Sequence, residues 1–585
     1  MPNLSQLKRQ RMLEFLNKIK AEHTDDESLI AINEIETTLT EKKYGLVWEE
    51  HQEQVDAEMQ TKVPVFSEDV DREIASDEEL PYNFLLEGDN LHSLKLLAKT
   101  HKGKIDVIYI DPPYNTGAKD WKYNNQFVDD NDTYRHSKWI SWMYQRLIVA
   151  KDLLKDTGII VVTIDDYEVA PLKLLLDDIF DNDNFLGMTV IRNNPSGRST
   201  VRGFSINHEY ALFYSASSSA YLGRLQHTDE QKSRYKEKDD NGYFEWENFR
   251  KNGTDSDRKD RPKQFYPIVI NIETGKLRIP NVIWQDDTKE YVIEEYLNEN
   301  ERVILPHNNK GVEKVWKYGI ERAKTIVDEI LVKETKDGYE LYRKKYLNIE
   351  GTLPHTWWDK PEYSARDNGT RTLTDIFGPH KVFDFPKAPE AVKDCLLSAN
   401  LKRDGVVLDF FAGSGTTAQA TLELNKQDGG TRKFILCTNN ENGICEEVTY
   451  NRIKTVISGK RIDGTDYSEG IPANLKYYKT DYIDKTSPDP DYNIEGELLK
   501  HIAEMVQLEY AVKLDGTNYV LLMSDEQADN FIANDESLAR CKAIYVSTAV
   551  LLTAEQQKKL SDNGIAVFVI PDYYFESELL EVGER

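Results

Sequence analysis

The chain has 585 residues, with 74 Lys+Arg against 102 Asp+Glu, a formal net charge of -28. Such a length calls for several domains, and so acidic a balance excludes a protein that coats polyanions indiscriminately, while leaving room for a local basic groove that holds DNA. The four cysteines, Cys395, Cys437, Cys445 and Cys541, have neither metal-ligand nor disulfide-framework spacing, so no metal site is expected and a reducing cytoplasm is. No apolar run approaches the roughly 18 residues of a membrane helix, and the polar N-terminus lacks a secretory core.

Residues 4–22 carry Leu7, Met12, Phe15, Leu16 and Ile19 at helical spacing, and a second amphipathic helix follows Asp25-Asp26. With the acidic stretch 51–80 they make residues 1–80 an N-terminal helical arm and linker. Asn83 to Asp89 reads as a short strand ending in a Gly-Asp turn, and Leu91 to Lys99 as a helix. Ile105 to Ile110 is a compact apolar run with several β-branched members, the pattern of a strand buried on both faces of a parallel sheet. It runs into Asp111-Pro112-Pro113-Tyr114. A helix capped by Ser137, a strand at Ile159–Ile164 ending in Asp165-Asp166, a helix over 167–180 and strands near 187–191 and 208–214 follow. Alternation of this kind implies a doubly wound α/β domain.

Between 192 and 355 periodicity fades and charges of both signs crowd together. Arg192, Arg198 and Arg202 flank a loop rich in turn residues, which makes them candidate phosphate contacts. A second α/β pattern begins near 372: a strand at 405–409, the turn Ala412-Gly413-Ser414-Gly415, a helix from Thr416 and a strand at 433–438. From 486 a small C-terminal α/β domain is expected, with a hairpin turned at Asp515-Gly516, strands at 519–523, 542–547 and 565–570, and a last helix at 553–562.

Two motifs carry chemistry. Each proline pushes the residue before it into an extended conformation, and neither has an N–H. The Asp111 carboxylate and the Pro112 carbonyl are then acceptors without matching donors, at the strand edge where open α/β sheets bind ligands. They suit the amine of adenine or cytosine, with Tyr114 offering a ring to stack on. Gly413, Gly415 and Ala418 satisfy G-x-G-x-x-[G/A], a turn that lets backbone approach a ligand at a helix N-terminus. A turn that merely packs tightly has the same glycines. A nicotinamide-dependent oxidoreductase is the rival from another class, but Thr438, Asn439 and Asn440 stand where its acidic ribose ligand belongs, with Glu441 just beyond; no Lys-Ser/Thr supports a nucleotide triphosphate.

Asp409-Phe-Phe-Ala-Gly-Ser-Gly-Thr-Thr417 taken with Asp111-Pro-Pro-Tyr114 resembles the amino-group methyltransferases that use S-adenosylmethionine. The amine motif preceding the cofactor motif, with a long insert between, resembles the permuted β class of DNA methyltransferases. Lys43 to Glu50, Glu87 to His92, Asp111 to Thr116, Arg135 to Trp139 and Thr163 to Glu168 further resemble the modification subunit of type III restriction–modification systems, over most of residues 40–480. The resemblance implies a circularly permuted class I methyltransferase domain with its catalytic half at 81–191, a target-recognition region at 192–355, the cofactor half at 356–485 and a C-terminal domain at 486–585 that helps form a homodimer. It implies adenine-N6 methylation of duplex DNA by base flipping, cytosine-N4 methylation being the nearest alternative, and cleavage by a separate restriction subunit. Asp111, Pro112, Pro113 and Tyr114 would hold the target, with Phe213 or Tyr214 as the opposite wall. Phe411, Ala412, Gly413, Ser414, Gly415 and Thr416 would hold the cofactor, with Phe383 covering it and Lys387 pairing with its carboxylate. Asp409 would accept from its ammonium group or else close an Asx turn; Asp89 and Asp165 are further cofactor-proximal candidates, and Glu441 a substitute ribose ligand.

Overall fold

The computed structural model describes residues 4–22, 26–40, 48, 53–123, 126–129, 134–197, 203–336, 338–489, 491–570 and 574–582. The chain divides into two units, Met1–Gly223 with Leu353–Arg585, and Arg224–Thr352. The strand Glu209–Ser215 pairs within the main sheet of the first unit although it falls inside the stretch 192–355. No helix among the described residues is long and apolar enough to cross a membrane.

The first unit is built on a ten-stranded sheet in the order Lys62–Glu68, Asn474–Asp484, Tyr82–Glu87, Lys433–Thr438, Val406–Asp409, Ile105–Ile110, Leu154–Ile164, Glu209–Ser215, Phe185–Ile191, Trp357–Trp358. The central strands are parallel, from Asn474–Asp484 through to Leu154–Ile164. Ile105, Val107, Ile108 and Ile110 are fully buried, as strands covered on both faces must be. Val407 pairs with Val107 and Leu408 with Ile108, so two segments about 300 residues apart in sequence lie side by side. From this pair the chain winds in opposite senses. Val406–Asp409 passes through the helix Thr416–Asp428 to Lys433–Thr438 on one side, and Ile105–Ile110 through the helix Arg135–Leu153 to Leu154–Ile164 on the other. That is a topological switch point, and open α/β sheets bind their ligands at the carboxyl ends of the strands beside such a point.

Several elements differ from the sequence reading. The helix expected to be capped by Ser137 starts at Arg135, without a side-chain cap, and its approach to the double-proline corner is fixed instead by Trp139, whose Nε1 donates to the Pro113 carbonyl at 2.8 Å. Asp515-Gly516 turns no hairpin. The Asp515 carboxylate accepts from the backbone N–H of Thr517 and Asn518 at 2.8 and 2.7 Å, and the strand that follows, Tyr519–Leu522, pairs in parallel with Ala543–Ser547. A helix Glu576–Val582 comes after the expected last one, and Lys99 binds its Glu578 at 2.7 Å.

The second unit is not irregular but antiparallel β. A four-stranded sheet runs Ile330–Thr335, Gly338–Tyr346, Gly242–Asn248, Glu237–Asp239, beside a three-stranded sheet and a hairpin. Its core gathers Phe249, Tyr266, Ile268, Ile270 and Trp316.

Candidate active site

Asp111 leaves the Ile105–Ile110 strand with three donors on one oxygen. Its Oδ1 accepts from Thr163 Oγ1 at 2.7 Å and lies 2.8 Å from the Tyr114 hydroxyl and 3.0 Å from Lys387 Nζ. No hydrogen bond reaches Asp111 Oδ2 or the Pro112 carbonyl among the described residues. The corner therefore presents two open acceptors, as its prolines dictate. Glu209, 2% exposed, is a second carboxylate behind it. Glu209 Oε2 lies 2.7 Å from Lys387 Nζ, 3.0 Å from the Tyr114 hydroxyl and 2.7 Å from Asn193 Nδ2. Burial works against the Lys387 charge, but Asp111 and Glu209 outweigh it and hold the ammonium above its usual range. Burial, then the same two carboxylates, keep the Tyr114 phenol protonated.

The exit of the corner is locked. Asn115 adopts φ +55° and donates to Glu168 Oε1 at 2.5 Å and to the Arg135 carbonyl at 3.3 Å. His136 Nδ1 meets the same Glu168 oxygen at 2.5 Å. Burial pushes the Glu168 carboxyl up to about 8, and its Oε2 has no partner.

On the neighbouring strand, Asp409 Oδ1 accepts from the Phe411 N–H at 2.9 Å and Oδ2 from Thr417 Oγ1 at 2.5 Å. Both oxygens thus serve the turn, the Asx arrangement rather than an open acceptor, and burial raises the carboxyl to about 7. Gly413 and Gly415 have φ of +49° and +78°, where a side chain is strained. A Cβ on Gly413 would come within 3.0 Å of Phe383 Cζ, so Phe383 lies over the glycine turn. Phe411 packs against Trp142 at 5.2 Å, Ala412 and Ser414 are buried, and Thr416 opens the helix Thr416–Asp428.

The expected residues do not all converge. Lys387 sits at the double-proline corner, because the carboxylates of Asp111 and Glu209 are the anions within its reach. Asp165 caps its own turn, accepting from the Tyr167 N–H at 2.9 Å, and its strand is separated from the glycine strand by Ile105–Ile110. Asp89 caps the helix Asn90–Thr100 through the Leu91 N–H at 2.8 Å. Its neighbour Asn90 reaches the glycine strand, donating to the Phe410 carbonyl at 2.9 Å, while buried Arg146 binds Asn90 at 2.6 Å and Glu53 at 2.8 and 3.0 Å. Phe213 and Tyr214 are core residues: Phe213 packs on Trp358, and Tyr214 donates to Asp177 at 2.7 Å. Among the described residues the Arg192 side chain reaches the Pro195 carbonyl of its own loop, at 3.4 Å; Arg198 and Arg202 lie outside the described residues. Glu441 is exposed in the turn after the Lys433–Thr438 strand.

Four side chains that the structure places at the corner or the glycine turn had no assigned role in the sequence reading. Thr163 and Glu168 stand within the segment that carried the family resemblance. Glu209 opens a strand, where an acidic residue ordinarily faces water. Arg452, which donates to Ser414 and Thr416, reads from sequence as the polar face of an amphipathic helix.

The sequence matches the DNA methylase family N6_N4_Mtase over residues 105–450. It is 36% identical over 401 residues to the type II methyltransferase M.KpnI of Klebsiella pneumoniae, an alignment covering 68% of this chain and 90% of that one. It is 34% identical over 388 residues to the type III restriction-modification enzyme EcoPI Mod subunit of Escherichia phage P1, covering 61% and 58%. The StyLTI Mod subunit of Salmonella typhimurium is 31% identical over 427 residues, covering 68% and 59%. The chain thus spans less than two thirds of the length of these two Mod subunits. The matched span contains both the double-proline corner and the glycine turn on adjacent strands, and the chain belongs to the N6/N4 DNA methylase family.

Proposed function

We propose that this chain transfers a methyl group from S-adenosylmethionine to adenine N6 in duplex DNA, as the modification and recognition subunit of a type III restriction–modification system. The observation that carries the reading is the pair of open acceptors, Asp111 Oδ2 and the Pro112 carbonyl, beside a glycine turn on the next strand. The turn suits the cofactor: left-handed glycines leave the space a Cβ would fill, Phe383 lies over it, and a buried guanidinium nitrogen of Arg452 beneath it lacks a partner. The backbone at Gly413, Ser414 and Gly415, with Thr416 at the helix start, would hold the amino-acid end. When bound, S-adenosylmethionine supplies an electrophilic sulfonium methyl.

An aromatic exocyclic amine is a poor nucleophile. Accepting both of its hydrogens at Asp111 Oδ2 and Pro112 O favours a pyramidal nitrogen with its lone pair turned to the glycine-turn side. Catalysis is then mainly positioning and polarisation. Thr163, Tyr114 and Lys387 hold Asp111 through Oδ1, so its orientation does not depend on the target. The proton released after transfer passes to Asp111. A paired base cannot reach this corner, so the target leaves the duplex stack. Aspartate rather than serine before the prolines favours adenine over cytosine. Sequence choice falls to the Arg224–Thr352 unit, whose acidic and basic residues nearly balance in an otherwise acidic chain, together with the loop from Arg192. The chain works as a homodimer; Met12, Phe15, Ile30 and Ile35 of the N-terminal helices are exposed apolar residues available to a second copy.

A second reading, a free-standing methyltransferase without a restriction partner, is favoured by the 90% coverage of M.KpnI. Incubating the purified chain with tritiated S-adenosylmethionine and duplex DNA, then digesting to nucleosides, tests both. Label in N6-methyladenine, lost in Asp111→Ala with cofactor affinity kept, is expected; label in N4-methylcytosine, or full turnover by Asp111→Ala, overturns the assignment. ATP-dependent cleavage on adding a type III restriction subunit separates the two systems.

A further inference from the structure

Arg452 lies on the helix Tyr450–Ser458 and is 0% exposed. Its Nη1 donates to the Ser414 carbonyl at 3.2 Å, to Ser414 Oγ at 2.9 Å and to Thr416 Oγ1 at 2.8 Å, and its Nε to Gln419 Oε1 at 2.9 Å. Every one of these acceptors is neutral. The other buried Arg and Lys side chains of this unit each have a carboxylate: Arg146 has Glu53, Lys476 has Glu68 and Arg432 has Asp428. Among the described residues Arg452 alone of this group has none within ion-pair distance; Glu423, the carboxylate that acts on it from farther off, is paired with Lys393. Its Nη2 is enclosed and makes no hydrogen bond.

An unneutralised buried charge is costly unless something compensates it. Burial draws the guanidinium down to about 10, which still leaves it charged at neutral pH. Directly above it is the glycine turn, and the positive end of the Thr416–Asp428 helix adds a field of the same sign. Lys387 is committed to the double-proline corner.

We infer that Arg452 is the charge that makes the glycine turn select a cofactor bearing a carboxylate, acting from beneath the turn through Ser414 and Thr416. The inference rests on the proposed methyl donor. Arg452 is a positioning residue: it fixes Ser414 and Thr416, and its unspent charge favours an anion where their amides point.

Calorimetry on the full chain with S-adenosylmethionine and with decarboxylated S-adenosylmethionine tests it without reading turnover. The wild type should prefer the carboxylated form by roughly tenfold or more, a factor worth about 1.4 kcal/mol per decade. Arg452→Met should lose about tenfold on S-adenosylmethionine and less than about threefold on the decarboxylated form. Arg452→Lys, which keeps the charge with fewer donors, should retain the preference. Equal losses on both ligands mean a scaffold role and overturn the inference, as does an unchanged affinity. Should Arg452→Met fail to fold, the wild-type ratio still decides, since a preference below about threefold leaves no carboxylate selection to explain. A wild type that binds neither ligand sinks the proposed donor itself, a distinct failure.

Discussion

Replacing Glu168 by glutamine isolates one buried acid at the exit of the double-proline corner. Glutamine keeps the shape and can accept from Asn115 through its carbonyl oxygen, but it cannot ionise. In the native chain burial carries this carboxyl from 4.5 to about 8. Between those values the folded state binds more protons than the unfolded one, so the stability contributed by the protonated acid is complete below the unfolded value and is lost as pH rises through the folded one. At about 1.4 kcal/mol per pH unit, the cost is about 1 kcal/mol at pH 5, about 3 kcal/mol at pH 7, and approaches about 5 kcal/mol above pH 8. His136, lowered by burial and by Arg135, stays neutral at pH 7 and does not cancel the effect. Urea unfolding of the two proteins at pH 5 and pH 7 reads the difference directly. Glu168→Gln should gain about 2 kcal/mol on the wild type between the two pH values. A gap that stays constant or narrows with rising pH would refute the burial argument.

Gly413→Ala places a methyl 3.0 Å from Phe383 at a left-handed backbone position, and calorimetry should show cofactor affinity reduced by roughly tenfold or more. Glu209→Gln removes the carboxylate that Lys387 and Tyr114 share with Asp111; single-turnover transfer should slow by about 10- to 100-fold with cofactor affinity unchanged, and an unaltered rate would show that Asp111 alone orients them. Arg146→Met strands Glu53 inside the protein, a loss of about 3 kcal/mol or more in chemical denaturation, whereas Arg146→Met combined with Glu53→Leu should recover most of it. Exchanging residues 224–352 for those of a relative should carry the methylated sequence with the exchanged segment, as read by sequencing methylated DNA.

Ile105–Ile110 and Val406–Asp409 were legible because compact, mostly apolar runs with several β-branched members leave few alternatives, and their turns announce themselves through proline and glycine. What brings them together is the pairing of Val407 with Val107, which no local pattern contains. That Lys387 contacts Asp111 and Glu209 was not legible, because sequence gives a lysine's position but not which anion its long stem reaches. Asp515-Gly516 was misread because an aspartate that collects backbone N–H groups uses the same residues whether the chain reverses or continues. The stretch 192–355 looked irregular for a related reason. Its charges are cross-strand partners, Glu245 opposite Lys345 and Glu247 opposite Arg343, and strands that carry ion pairs lose the apolar alternation by which strands are recognised.

The saturation of a single oxygen of Asp111 makes the corner count hydrogens. An unmodified amine brings two and can fill both vacant positions, whereas the monomethylated product brings one and must leave either the aspartate oxygen or the proline carbonyl unanswered. Losing one of these hydrogen bonds weakens binding by about 0.5–3 kcal/mol, the more so when the acceptor is charged. On the proposed function, the geometry that would grip the target therefore loosens on the finished base, which would speed its return to the helix and disfavour a second alkylation.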